Sequence, residues 1–291
     1  MSCALTAALL LAVACSGAAP RPPAAPGQAP RRIISLVPAV TEMLFAIGAG
    51  PQIVAVSSFD HYPPAVEKLP RVGGLLDPDF ERILALRPDL VVVYGGQSDL
   101  GARLADAGIR TFPYTLGGLA NATMTIRRLG EATGHRQDAE RVAAAVASGL
   151  EEVRARVAGL PRPRTLLVFG RDPGSLHNVD ASGGVGFLHD LVELGGGTNI
   201  FAGIGRESVR ATTEGILAAA PEVIIELHYS GDLTPERMAR ERRVWNALPS
   251  LPAVQQGRIM LLVGDEFVVP GMRVVDAAQQ IARAIHPEAE F

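Results

Sequence analysis

One thirteen-residue stretch of this chain is written twice, and the copies stand too far apart to belong to one stacked array. ERILALRPDLVVV begins at Glu81 and EGILAAAPEVIIE at Glu214, so glutamate, isoleucine, leucine, alanine, proline, an acid and a run of aliphatics fall in register. Each copy reads as a short helix halted ahead of a proline, which disfavours helix in the residue before it, and then as a buried strand. The offset of 133 residues far exceeds the period of a solenoid, roughly 20–50 residues. Two related lobes follow, each built on a strand that helices cover.

The remaining pattern agrees. Arg31 to Leu36, Ile53 to Val56, Leu90 to Tyr94 and Thr111 to Tyr114 read as strands separated by helical stretches; Thr165 to Phe169, Val223 to Leu227 and Arg258 to Val263 repeat the theme later. Such alternation predicts an α/β fold of parallel sheets flanked by helices. With 5% aromatic residues against 48% hydrophobic, the cores are aliphatic, as buried parallel strands prefer. Between the two sets, Gln137 to Gly159 places Val142, Val146, Leu150, Val153 and Val157 at helical steps and closes on Gly159, Pro161 and Pro163. We read one rigid interlobe helix of roughly 33 Å, with no partner beside it in sequence. The division is an N-terminal α/β lobe over 31–136, the linking helix over 137–160 and a C-terminal α/β lobe over 161–291. Arg171 to Gly183 reads as a loop.

Residues 4–14, ALTAALLLAVA, form an apolar run of eleven, too short to cross a bilayer and long enough for a signal-peptide core over 1–15. Cys15 follows at once. An apolar run closing on small residues and a cysteine resembles the lipobox of bacterial lipoproteins, which implies lipidation at Cys15. Residues 16–30 hold five prolines, five alanines and two glycines and predict an extended tether. The expected location is the periplasm or the outer face of the cell membrane, with the membrane reached through a lipid anchor. A net charge of −3 with scattered Lys and Arg leaves no basic stripe for nucleic acid.

Several ordered segments, RIISLVPAVTEMLFAIGAG, VSSFDHYPP, LPRVGG, GGGTNIF and GDEFVVPGMR, resemble the substrate-binding proteins of ABC importers that join their lobes by a single helix, the vitamin B12, siderophore and haem group. The resemblance implies a monomer that captures a small molecule between two lobes and hands it to a permease dimer with its ATPase subunits. It also implies that Glu81 and Glu214, the residues that open the repeat, dock into arginine pockets on the two permease subunits, where carboxylate to arginine pairs are strong and orienting. By the family pattern the loops after the strands face the ligand: Phe59, His61 and Tyr62; Tyr94 and Gln97; Arg171 and His177; His228; Asp265 and Phe267. Aromatic groups with a few polar anchors suit a planar corrinoid of the cobalamin type. The alternatives are an iron siderophore, haem or a free transition metal ion. The only tryptophan, Trp245, falls outside the matched segments.

His61, His177 and His228 could together hold a metal with Asp265 or Glu266, since imidazole and carboxylate suit zinc, cobalt, nickel or iron. A surface metalloenzyme is therefore the reading from another class. Against it, the chain carries no GxSxG, HExxH or GxxxxGK[ST] motif. No enzyme activity and no resident cofactor are expected.

Overall fold

The computed structural model describes residues 28–229 and 234–289. Cys15 and nearly all of the tether lie outside the described residues. The first lobe runs β1 (Ile33–Ser35), α1 (Pro38–Ala46), β2 (Ile53–Val56), α2 (Phe80–Ala85), β3 (Leu90–Tyr94), α3 (Ser98–Asp106), β4 (Arg110–Tyr114) and α4 (Leu119–Thr133). Then comes α5 (Arg136–Val157). The second lobe runs β5 (Arg164–Gly170), β6 (Val179–Ser182), α6 (Phe187–Leu194), β7 (Thr198–Asn199), β8 (Ser208–Ala211), α7 (Thr213–Ala219), β9 (Val223–His228), α8 (Pro235–Val244), α9 (Pro252–Gln255), β10 (Ile259–Val263) and α10 (Val274–Ile285).

The first sheet has the order β2-β1-β3-β4, with every pairing parallel. In the second, β10, β9 and β5 are parallel, short β7 runs parallel to β5, and β6 and β8 extend the sheet antiparallel. Topology therefore matches β1 with β5, β2 with β7, β3 with β9 and β4 with β10, and hence α1 with α6, α2 with α7 and α4 with α10. The stretch read as a loop after Arg171 contains β6, whose four residues Val179, Asp180, Ala181 and Ser182 are too few to announce a strand by alternation.

The repeat encodes a clamp at the helix end. In the first lobe Asp89 accepts the backbone N–H of Arg32 at 3.0 Å, and the Arg32 guanidinium donates to the Leu86 carbonyl at 2.9 and 2.7 Å. In the second, Glu222 accepts the N–H of Arg164 at 2.9 Å and Arg164 donates to the Ala220 carbonyl at 3.0 Å. Arg87 and Ala220, each just ahead of the proline, share left-handed φ values of 46° and 45°. Both N-caps also match: Asp79 accepts from the N–H of Arg82, and Thr212 from that of Gly215. The acid after the proline and the arginine opening the strand thus satisfy helix and strand ends that would otherwise be left without partners.

The linking helix has a partner beside it in sequence, contrary to the expectation. α4 and α5 form a hairpin through Gly134, left-handed at φ 82°, and pack closely because Gly130 faces Ala139; a Cβ at Gly130 would stand 2.3 Å from the Ala139 methyl. Small residues at the contact are invisible to a search for large apolar faces. α5 also buries Val146, Val153 and Val157 in a core that runs on through α6 and α10. At Gly149 the helix meets Val275 of α10, leaving no room for a methyl. This core is continuous between the lobes, so apolar packing joins them along the linking helix.

Candidate ligand cleft

Parallel strands carry their functional loops at the carboxyl ends. After β2, Ser57 and Asp60 close a tight loop. The buried Asp60 carboxylate accepts from the Ser57 N–H at 2.9 Å and from its hydroxyl, and Arg71 donates to the carbonyls of Ser57 and Asp60. Burial pushes the Asp60 carboxyl up, more than the Ser57 and Thr41 bonds and the Arg71 charge pull it down. With its polar groups turned inward, the loop presents Phe59, His61 and Tyr62 outward; Phe59 is 64% exposed and rests on Gly74.

Opposite stand Tyr229 after β9 and the turn after β10. Between the lobes lies a cavity of about 340 Å³ lined by Phe59, His61, Tyr62 and Glu42 from the first lobe and by Tyr229, Asp265, Val268, Val269 and Arg273 from the second. The Arg273 guanidinium lies 4.6 Å from the centre of the Tyr62 ring, in cation–π range. It pairs with Glu42 at 2.6 Å and with Glu266 at 3.3 Å. Burial raises the Glu42 carboxyl despite Arg273 and the Met272 N–H. Arg273 is held above the usual arginine value, because the Glu42, Glu266 and Asp265 charges outweigh its own partial burial.

A second cavity, about 290 Å³, opens beside the first and shares Tyr229 with it; Phe169, Arg171, Glu226, His228, Arg237 and Glu241 are on its walls. Arg171 is nearly fully buried and bonds to both Glu226 and Glu241 at 2.9 Å. Glu226 also accepts from the Trp245 indole N–H at 2.9 Å. His228 Nε2 stands 2.9 Å from Glu226 but off the line of a good hydrogen bond, and Arg171 Nε has no protein partner among the described residues. Burial alone would raise Glu226, yet His228, Trp245 and the Arg171 charge together hold its carboxyl below the usual range.

The expected residues have separate fates. Phe59, His61, Tyr62 and Asp265 meet in the first cavity, and Arg171 and His228 line the second. Tyr94 and Gln97 brace the end of β3: Gln97 accepts from the Tyr94 N–H and donates to the Leu75 carbonyl, while Tyr94 packs edge-on against Tyr114. His177 is exposed and lines neither cavity. Phe267 corrects its expectation: it is fully buried in the core, because the 3₁₀ turn Asp265–Phe267 sends the ring inward beneath α10. No group of three His, Cys, Asp or Glu side chains suited to a metal ion occurs among the described residues, so the three histidines do not form a shared centre. Glu42, Glu226, Glu241 and Arg273 went unread, since no local spacing marks a residue whose partner lies in another segment. Glu81 and Glu214 are both exposed near the starts of α2 and α7. Among the described residues no helix is long and apolar enough to cross a membrane.

Two related α/β lobes that meet around a cavity at their strand ends, held together by one long helix, define a bilobal solute-binding protein. The chain belongs to the periplasmic binding protein family, whose sequence profile matches residues 33–265. The vitamin B12-binding protein of Yersinia pestis is 31% identical over 261 residues, spanning 89% of this chain and 87% of the relative. That of Salmonella typhimurium is 29% identical over 256 residues, or 87% and 90% of the two chains. Among solved structures, the periplasmic vitamin B12 binding protein of Vibrio cholerae superposes with a TM-score of 0.74 at 25% identity, covering 89% of this chain and 97% of that one. A periplasmic haem-binding protein of a Roseiflexus species, in apo form, gives 0.75 at 26%, covering 89% and 99%. These relatives are substrate-binding proteins and not enzymes.

Proposed function

We propose that this protein captures a corrinoid of the cobalamin type between its lobes and delivers it to an ABC permease. The observation that bears on the choice of ligand is that two of the three arginines lining the cavities, Arg171 and Arg273, are taken up by the protein's own carboxylates, Arg237 being the third. Arg171 is held by two carboxylates and Arg273 by two more, leaving neither free to meet a ligand carboxylate. Bringing a ligand anion beside Glu42, Asp265 or Glu226 would cost Coulomb energy in a partly desolvated site. Haem carries two propionates, whereas a corrinoid carries a rim of neutral amides, which brings less negative charge beside these carboxylates. Phe59, Tyr62 and Tyr229, all substantially exposed, supply apolar faces for a macrocycle. The kinship with vitamin B12-binding proteins supports the same reading.

Glu81 and Glu214 are the proposed contacts with the two permease subunits, since equivalent positions on related lobes suit a partner with twofold symmetry. Export through the leader and lipidation at Cys15 belong to the same reading, and labelling with a radioactive fatty acid, lost in Cys15→Ser, tests the anchor. The ligand is tested by thermal shift against cyanocobalamin, cobinamide, haem and ferric siderophores, because a ligand that binds only the folded form raises the melting temperature. A rise with the corrinoids and none with haem is expected. A rise with haem or a siderophore alone sinks the assignment.

A further inference from the structure

The seam between the lobes contains two contacts that exchange the same roles. Glu42 lies on α1 of the first lobe and accepts the backbone N–H of Met272, just ahead of α10 in the second, at 3.1 Å. Asp190 lies on α6 of the second lobe and accepts the backbone N–H of Leu119, the first residue of α4 in the first, at 2.8 Å. α1 is the counterpart of α6 and α10 that of α4, so each lobe sends an acid from its first helix to the start of the other lobe's last helix. A glycine precedes each donor and makes room. A Cβ at Gly271 would stand 2.5 Å from the Glu42 carboxylate, and one at Gly118 would stand 2.1 Å from that of Asp190.

We propose that Glu42 and Asp190 are reciprocal clamps that fix the opening between the lobes before any ligand arrives. The acids are positioning residues for the cleft. Asp190 meets the N–H of the first residue of α4, at the positive end of that helix, where negative charge is favoured. Glu42 meets an N–H two residues ahead of α10. The Glu42 clamp carries a second bond into the cavity, to Arg273, and Arg273 in turn covers the Tyr62 ring. Releasing that clamp therefore frees a wall of the cavity as well as the lobe. Apolar packing through α4, α5, α6 and α10 joins the lobes, and the two polar contacts on separate helices add directional constraints that apolar packing lacks. The consequence for capture rests on the ligand-binding reading above; the geometry does not.

The test measures lobe separation without ligand. The full chain carries spin labels at Asp106→Cys on α3 and Gln256→Cys after α9, with Cys3→Ser and Cys15→Ser so that only those positions react. Asp190→Ala and Glu42→Ala are each expected to broaden the interlobe distance distribution, and the pair to broaden it further. Asp190→Asn keeps an acceptor and should retain the narrow distribution. Gly118→Ala, which drives a methyl into the Asp190 carboxylate with the acid still present, should reproduce Asp190→Ala. It carries the test even if Glu42→Ala fails to fold. A lowered melting temperature with an unchanged distribution in Asp190→Ala and Gly118→Ala would make these residues merely structural and overturn the proposal. A second reading takes the dissociation rate of cyanocobalamin, expected to rise about tenfold in the double variant. If no corrinoid binds even the parent protein, the function assigned above fails while the distance measurement still decides the clamps.

Discussion

Arg171, just past the end of β5, and Glu226 on β9 face each other at 2.9 Å with both side chains only 3% exposed. Charges so far from water are tolerated when paired, and here Glu241 gives the arginine a second carboxylate while Trp245 and His228 flank the glutamate. Arg171→Met removes the cation and leaves two carboxylates buried together. The expected loss is about 3–5 kcal/mol, read from urea unfolding. Trp245→Phe, which deletes one donor to Glu226 and keeps most of the ring volume, should cost about 1–2 kcal/mol.

Acid should act on the same network with a definite sign. Glu226 titrates below an ordinary glutamate when folded, so the native state binds fewer protons there than the unfolded chain. Its contribution is complete above the unfolded pKa, about 4.3, and is lost as the pH falls through the lower folded value. Glu226→Gln should therefore show a shallower fall in stability below that pH. Glu42 and Asp60, both raised by burial, work the other way: their protonated forms favour the folded state, and stability is lost as the pH rises through their folded values. Glu42→Gln should flatten the slope on that side.

The clamp encoded by the repeat should be asymmetric in strength. The Arg32 guanidinium makes three bonds, to the helix-end carbonyls of Leu86 and Arg87, and is partly buried, whereas that of Arg164 makes one, to Ala220, and is exposed. Arg32→Ala should cost about 1–2 kcal/mol and Arg164→Ala about half of that, both measured by chemical denaturation.

Phe267 separates core from cleft. Phe267→Ala in a fully buried site should lose about 3–5 kcal/mol, whereas a ring lining the cavity would chiefly change ligand affinity. A stable variant with weakened binding would return the residue to the cleft.

Docking is tested by Glu81→Ala combined with Glu214→Ala. Both side chains are exposed near helix starts, so the stability cost should stay below about 1 kcal/mol for each. Uptake in cells should disappear while ligand affinity measured on the isolated protein is unchanged. A fall in affinity would count against docking.

Much of the fold was legible because it is local. The repeated helix and strand at Glu81 and Glu214, the valine ladder of α5 and the strand–helix alternation each follow from side-chain period and proline or glycine punctuation, which need no knowledge of distant residues. The aromatic loop at Phe59 to Tyr62 was visible for the same reason, as a polar stretch following a short apolar strand. The antiparallel β6, the small-residue contact of α4 with α5 and the burial of Phe267 were not, since each depends on what another segment places alongside.

The chain by itself determined that there are two related α/β lobes and which loops end their strands, because backbone propensity and hydrophobic period act within a dozen residues. Tertiary structure alone decided that Glu42 meets Arg273 across 231 positions and that Asp190 meets Leu119 across 71. It also decided that Arg171 is neutralised within the lobe, unavailable to a ligand carboxylate. A charge carries its type in the sequence but not its partner, and in a partly buried cleft the partner determines whether that charge is available to a ligand.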